Sequence, residues 1–136
     1  MKKSWQQKLH SGKELKIEVT DKDFAGIPGG SKMLIATPEI VNDYLRNIPE
    51  GTHTSLLQMR KDLAAEHQVD FTCPLTSGIF LRIAAEAAYE EYLAGKPEEE
   101  ITAFWRMIDS KSPTLKKLSC GKDFVLQQRR KEGLPD

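Results

Sequence analysis

The sequence predicts a mainly α-helical domain, a helix-turn-helix of winged-helix type behind a short amino-terminal β-hairpin. Three observations carry that expectation. The first is the stretch from Leu75 to Gly95, whose alanine-rich interior favours helix; Thr76 or Ser77 stands where a side chain can cap its start, and Gly95 where a left-handed residue can end it. The second is another helical stretch just before it, opened by Thr54 or Ser55 and running to about His67, with Val69 to Pro74 as the short connection between the two. The third is the alternation of Leu15, Ile17 and Val19 with charged residues, the pattern of a strand with one buried face, with Met33 to Ala36 as a second strand to pair with it.

A chain of 136 residues is the size of one domain and can bury one modest core. Residues 1–36 form an arm and hairpin in this reading, and 37–136 the helical domain. Lys and Arg number 20, as do Asp and Glu, so no overall basicity advertises a nucleic-acid partner. The distribution is uneven, however. Six glutamates against one lysine fall between Glu86 and Glu100, and seven basic residues against one aspartate between Lys111 and Lys131. A basic patch on a neutral chain suits DNA binding because the local field decides, although a solvated carboxy-terminal helix has the same composition.

Cys73 and Cys120 are too far apart for a metal knuckle, and His10, His53 and His67 make no ligand spacing with them, so no metal or other cofactor is expected. No apolar run follows the amino-terminal lysines, and none approaches the ~20 residues of a membrane span. The expectation is a cytoplasmic protein with reduced thiols.

Taken in order, Met1 to Gly12 is polar, a loose or partly helical arm. Asp21 to Lys32 holds Phe-Ala-Gly-Ile-Pro-Gly-Gly, which is turn chemistry and lacks the Gly-Lys-Ser/Thr ending of a phosphate loop. Thr37-Pro38-Glu39 begins a helix with a capping threonine, a proline at the first position and an early carboxylate. Ile40, Val41, Tyr44, Leu45 and Ile48 form its apolar face, and Pro49-Glu50-Gly51 stops it. The next helix turns Leu56, Met59, Leu63 and Ala64 inward, and Pro74 keeps Cys73 out of helical geometry. In the long helix, Phe80, Ile83, Ala84, Ala87 and Ala88 share a stripe, and Arg82 lies opposite it, pointing outward with nothing bulky beside it. Such an arginine has either the place of a DNA-reading residue or that of an ordinary surface cation. Pro97-Glu-Glu-Glu starts a short helix; Ile101 to Leu118 reads as buried irregular structure followed by a loop or wing; Gly121 to Gly133 is a closing helix with Arg129, Arg130 and Lys131 near its end.

Four of these motifs, in this order and spacing, resemble the carboxy-terminal domain of the 6-O-alkylguanine-DNA alkyltransferase family and its non-repairing relatives, the alkyltransferase-like proteins. Ile48-Pro-Glu-Gly-Thr-His-Thr-Ser55 is similar to the family's Ile-Pro-x-Gly-x-Val-Thr-Thr. Arg82-Ile-Ala-Ala-Glu-Ala-Ala stands where the family has Arg-Ala-Val-Gly-x-Ala-Met. Pro97 to Arg106 keeps the spacing from Asn-Pro to Pro-Cys-His-Arg, and Gly121 to Gly133 that of the closing Gly-to-Glu-Gly segment. The resemblance covers about Thr37 to Gly133. It implies duplex DNA as partner, with Arg82 filling the place of an extruded base, Thr76 and Ser77 on phosphate, and Lys111, Lys116 and Lys117 on a basic wing along the backbone. It also implies that an alkylated, flipped guanine is held and passed to excision-repair proteins.

The chain departs from the family pattern where the chemistry lies. Ala103-Phe104-Trp105-Arg106 stands in place of Pro-Cys-His-Arg, so Phe104 replaces the alkyl-accepting cysteine and Trp105 its activating histidine. With thiolate and base both missing, alkyl transfer by the family's mechanism is excluded, and the protein is expected not to be an enzyme. Lys96 replaces the hinge asparagine, and Leu56 the tyrosine beside the flipped nucleotide. Of the remaining thiols, Cys73 reads as buried and inert, while Cys120 lies among Lys116, Lys117 and Lys122, a setting that lowers a thiol pKa, with no histidine near in sequence. Phe104 and Trp105 have two roles open to them, as core anchors or, with Leu56, as the lining of a base pocket. Arg106 is either the partner of a buried carboxylate or a phosphate contact. A DNA-binding regulator without a lesion pocket, or a helix-turn-helix used for protein contacts, is the alternative, favoured by the glutamates that flank the long helix. A small enzyme of unknown reaction ranks below both.

Overall fold

The computed structural model describes residues 3–136. Its elements run α1 (Trp5–Leu9), β1 (Lys16–Val19), β2 (Lys32–Ile35), α2 (Pro38–Arg46), α3 (Leu56–Glu66), β3 (Phe71–Thr72), α4 (Pro74–Leu93) and α5 (Gly121–Lys131), with single 3-10 turns at Phe104–Arg106 and Pro113–Lys117. The fold is mainly helical around a small sheet of order β1-β2-β3, antiparallel between β1 and β2 and parallel between β2 and β3.

Local chemistry sets most boundaries as the sequence predicts. The Thr37 hydroxyl accepts from the Ile40 N–H (3.1 Å) ahead of Pro38, the Ser55 hydroxyl accepts from the Gln58 N–H (3.0 Å), and Gly95 closes α4 at φ +108°. Three expectations are corrected: the capping of α4, the buried face of β1, and the short helix after Gly95, since residues 97–100 form a turn. Helix α4 begins at Pro74, whose ring fixes the φ of a first helical residue, so Thr76 and Ser77 fall inside the first turn and cap nothing. Ser77 is buried and its hydroxyl donates back to the Cys73 carbonyl (2.7 Å), while the Thr76 hydroxyl is buried without a partner among the described residues. Neither side chain is offered to phosphate.

Strand β1 buries no face, since all four residues are exposed, Ile17 at 50% and Val19 at 62%. Strand β3, two residues long, is too short to show alternation in sequence. It anchors the connection between α3 and α4 through Cys73 N–H to Leu34 C=O (2.8 Å) and the Thr72 hydroxyl to Arg60 C=O (2.7 Å). Strand β3 pairs with β2, and Leu34 and Ala36 lie in one core with Val41, Leu45, Phe80 and Phe104, so the residues on either side of position 36 pack together. The segment expected to form a wing holds a 3-10 turn and no strand.

Helix α4 is central rather than one-sided. Leu81, Ala85 and Glu86 are buried along with Phe80, Ala84, Ala87 and Ala88 of the predicted stripe, while Ile83 is only half-buried. Its alanines let α1, α2, α3 and both 3-10 turns pack against it from several directions. Large apolar side chains point outward at its two ends, Leu75 (59% exposed) and Ile79 (57%) in the first two turns and Leu93 (67%) at the last residue.

Candidate nucleic-acid interface

The exposed start of α4, the 3-10 turn Pro113–Lys117 and the amino-terminal arm enclose a groove of about 770 Å³. Its floor is apolar, from Leu56, Leu75, Ile79 and Ile83, and its rim carries Lys3, Lys8, Lys13, Arg82 and Lys117. No carboxylate lines it among the described residues. The uncapped amino end of α4 also opens here, through Pro74 and Leu75, and adds the positive end of a 20-residue helix dipole.

The arm is held in place by α4 itself. Glu90 accepts from the backbone N–H groups of Trp5 (3.0 Å) and Gln6 (2.9 Å), and the Gln6 side chain donates to the Ala87 carbonyl (2.8 Å). This brings Trp5 onto Arg82, whose guanidinium carbon lies 5.2 Å from the ring centroid, with Lys8 Nζ at 4.1 Å from the same ring. The expectation of nothing bulky beside Arg82 is therefore corrected. The arm is separated from α4 by some eighty residues of sequence, a distance over which helical periodicity carries no information. Arg82 Nε is buried, makes no hydrogen bond among the described residues and stands 3.9 Å from Glu86. The Glu86 carboxylate, 2% exposed, is already occupied by the Ser119 N–H (3.1 Å) and hydroxyl (2.9 Å).

Of the residues singled out in sequence, Arg82, Leu56 and Lys117 meet in this groove, while Lys111 and Lys116 are exposed nearby on the chain without lining it. Phe104 and Trp105 do not belong to it. Both are buried, Phe104 against Trp105 and Phe124 (centroids 5.3 and 6.2 Å), and both rings serve the core. Trp105 Nε1 donates to Glu132 (2.7 Å). Arg106 takes the structural option: its Nε donates to Glu132 (2.9 Å) and its Nη1 to the Ile48 carbonyl (2.8 Å), which leaves no fork for a phosphate. Burial pushes the Glu132 carboxyl up, and the hydrogen bonds from Arg106, the Gly51 N–H and Trp105 more than reverse this, leaving it below the usual carboxylate value. Trp105, Arg106 and Glu132 border a second cavity, of about 630 Å³ and mixed charge, which shares no lining residue with the groove.

Arg129 stands in the last turn of α5, as expected, and is also among the most deeply buried side chains. It donates to the carbonyls of Trp105 (2.6 Å) and Pro135 (2.7 Å) and lies 3.1 Å from His53 Nδ1. Burial and this guanidinium both hold the His53 pKa below its ordinary value, against Asp109. Cys120 is also unlike its sequence setting, because burial and the Glu86 carboxylate push its thiol up to about 11 despite the nearby lysines. Cys73 is buried.

Chemically, the groove can hold an anion that carries a flat or apolar part, and Ser11 and Thr114 are the hydroxyls in its lining. Among the described residues no group of three or more His, Cys, Asp or Glu is placed to hold a metal, and no helix is long and apolar enough to cross a membrane. No protein-family model matches the chain, and no curated protein or solved structure matches it.

Proposed function

We propose that this is a cytoplasmic DNA-binding protein of the alkyltransferase-like kind, which holds an extruded, alkylated guanine in duplex DNA without transferring its alkyl group and so marks the lesion for excision-repair proteins. The observation that carries the reading is a groove rimmed by five cations, with no carboxylate, around an apolar floor. Phosphates suit the rim and a base face suits the floor, where Leu56 and Ile83 stand. Helices α3 and α4 act as the helix-turn-helix, with the turn Pro113–Lys117 in the place of a wing. Lys117, with Lys111 and Lys116 beside it, follows the backbone, and Arg82 enters the vacated stack. Non-transfer is supported by Phe104 at the acceptor position, a buried Cys73, and a Cys120 thiol too basic to be an effective thiolate at neutral pH.

The test is a set of titrations with a 6-O-methylguanine duplex and its unmodified counterpart. Lys8→Ala and Lys117→Ala should each flatten the slope of log affinity against log salt by about 0.9. Arg82→Ala should weaken lesion binding more than unmodified binding, because only the lesion complex has a vacated stack. Unchanged salt slopes would remove the groove from DNA. Radiolabel passing from a labelled methyl group to the protein would refute non-transfer. A second reading, a regulator without a lesion pocket, is favoured by the burial of both Phe104 and Trp105. It predicts equal losses on the two duplexes.

A further inference from the structure

We propose that strand β1 is a docking edge for a second copy of this chain, paired antiparallel through Ile17 about a two-fold axis. Strand β1 lies at the edge of the sheet, and all four of its residues are exposed. An edge of this kind offers a row of unpaired backbone groups, which proteins blunt by shortness, charged side chains, proline, a bulge or a covering segment; β1 is short and carries charges, but of both signs, Lys16 and Glu18, which a second copy can match. Here there is no proline in the strand, and its pairing with β2 is regular from Lys16 to Val19.

The direction of the free groups follows from the adjoining pair. Thr20 exchanges backbone bonds toward β2, its N–H reaching the Ser31 carbonyl (3.0 Å) and its carbonyl receiving the Gly30 N–H (2.6 Å). Alternation along the strand then aims the backbone of Glu18 and Lys16 at β2 as well, and that of Ile17 and Val19 at the open edge. The residues with outward backbone, Leu15, Ile17 and Val19, also put their side chains on one face of the sheet, where each is exposed.

Pairing Ile17 with Ile17 of the second copy satisfies every criterion at once. Leu15 then opposes Val19 of the other copy, so the apolar side chains meet on one face and each such pair exchanges both of its N–H···O bonds. On the other face, Lys16 opposes Glu18 of the second copy, and by symmetry Glu18 opposes its Lys16. The neighbouring registers that keep the faces matched centre on Lys16 against Lys16 or on Glu18 against Glu18, which places like charges opposite each other. The strand is thus complementary to itself in one register. The product is a continuous sheet of two hairpins and both copies of β3. This surface is separate from the basic groove and does not depend on DNA binding.

So short an edge buries less than a standard interface, and a dissociation constant on the order of 100 µM is expected. Sedimentation equilibrium over a concentration series should show the native mass rising toward that of a dimer. Lys16→Glu alone, and Glu18→Lys alone, each replace two attractive pairs by two repulsive ones and should weaken self-association about tenfold. An equimolar mixture of the two variants should associate again, because each chain then presents the charges that the other lacks. Both positions are exposed, so the monomer fold should survive, as circular dichroism can check. A native protein that stays monomeric to about 1 mM, a dimer indifferent to both reversals, or a mixture no better than its components would overturn the proposal.

Discussion

Glu132 gathers three donors from two parts of the chain, Gly51 before α3 and Trp105 and Arg106 in the 3-10 turn, and so ties the end of α5 to the middle of the sequence. Its carboxyl titrates below the ordinary value when folded, so the unfolded chain binds the extra proton first as pH falls. The stability that Glu132 contributes is present above the ordinary carboxylate pKa and is lost as pH drops through the folded value. His53, held below its own ordinary value, acts in the same direction at a higher pH. Thermal unfolding followed from pH 8 to pH 3 should therefore show a falling midpoint, and Glu132→Gln should start lower at pH 7 and fall less over the acid part of the range. A second residue-scale expectation concerns Cys120. With its thiol pushed up to about 11, alkylation by iodoacetamide at pH 8 should be roughly a hundredfold slower than for an ordinary exposed cysteine, as mass spectrometry of a time course would show. None of this was legible from spacing alone: Arg106 beside a carboxylate was one of two open readings, while the burial of Arg129 inverts the usual rule for a cation at a helix end.

At the scale of elements, composition and punctuation identified α2, α3, α4, α5 and the β1–β2 hairpin, because proline, glycine and capping hydroxyls act within a few residues of where they stand. The start of α4 was misplaced because Pro74 outranks Thr76 and Ser77 as an opener. The exposure of β1 and the pairing of β3 depend on what lies across space, and alternation cannot report that. Helix α1 is the clearest case. Five residues do not sustain a helix on their own, and its hold is the Glu90 carboxylate, which accepts from the Trp5 and Gln6 N–H groups. Glu90→Ala should leave the core intact and release the arm. The measurement is amide exchange, expected to accelerate over residues 5–9 with α2 and α4 unchanged; uniform exchange across the molecule would show instead that the arm belongs to the core.

For the whole molecule, a chain with equal numbers of the two charges still assembles a rim with only one sign, because its acids are committed elsewhere: Glu86 to Ser119, Glu90 to the arm, Glu98 to Lys131 and Gln128, Glu132 to Arg106. The sequence located one side of that rim, at Arg82 and Lys117, and missed the other, at Lys3, Lys8 and Lys13, since the arm approaches from the far end of the chain. On the proposed DNA-binding reading, the stacking of Trp5 on Arg82 carries a thermodynamic cost for any duplex. An arginine that must enter a base stack has first to leave the indole, so the observed affinity is the intrinsic one reduced by the fraction of molecules in which it has already left. Trp5→Ala removes that tax. Against expectation for a residue lining a binding groove, the variant should hold a 6-O-methylguanine duplex a few-fold more tightly than the native chain, within the strength of one cation–π contact; weaker binding would make Trp5 part of the contact surface rather than a latch on Arg82.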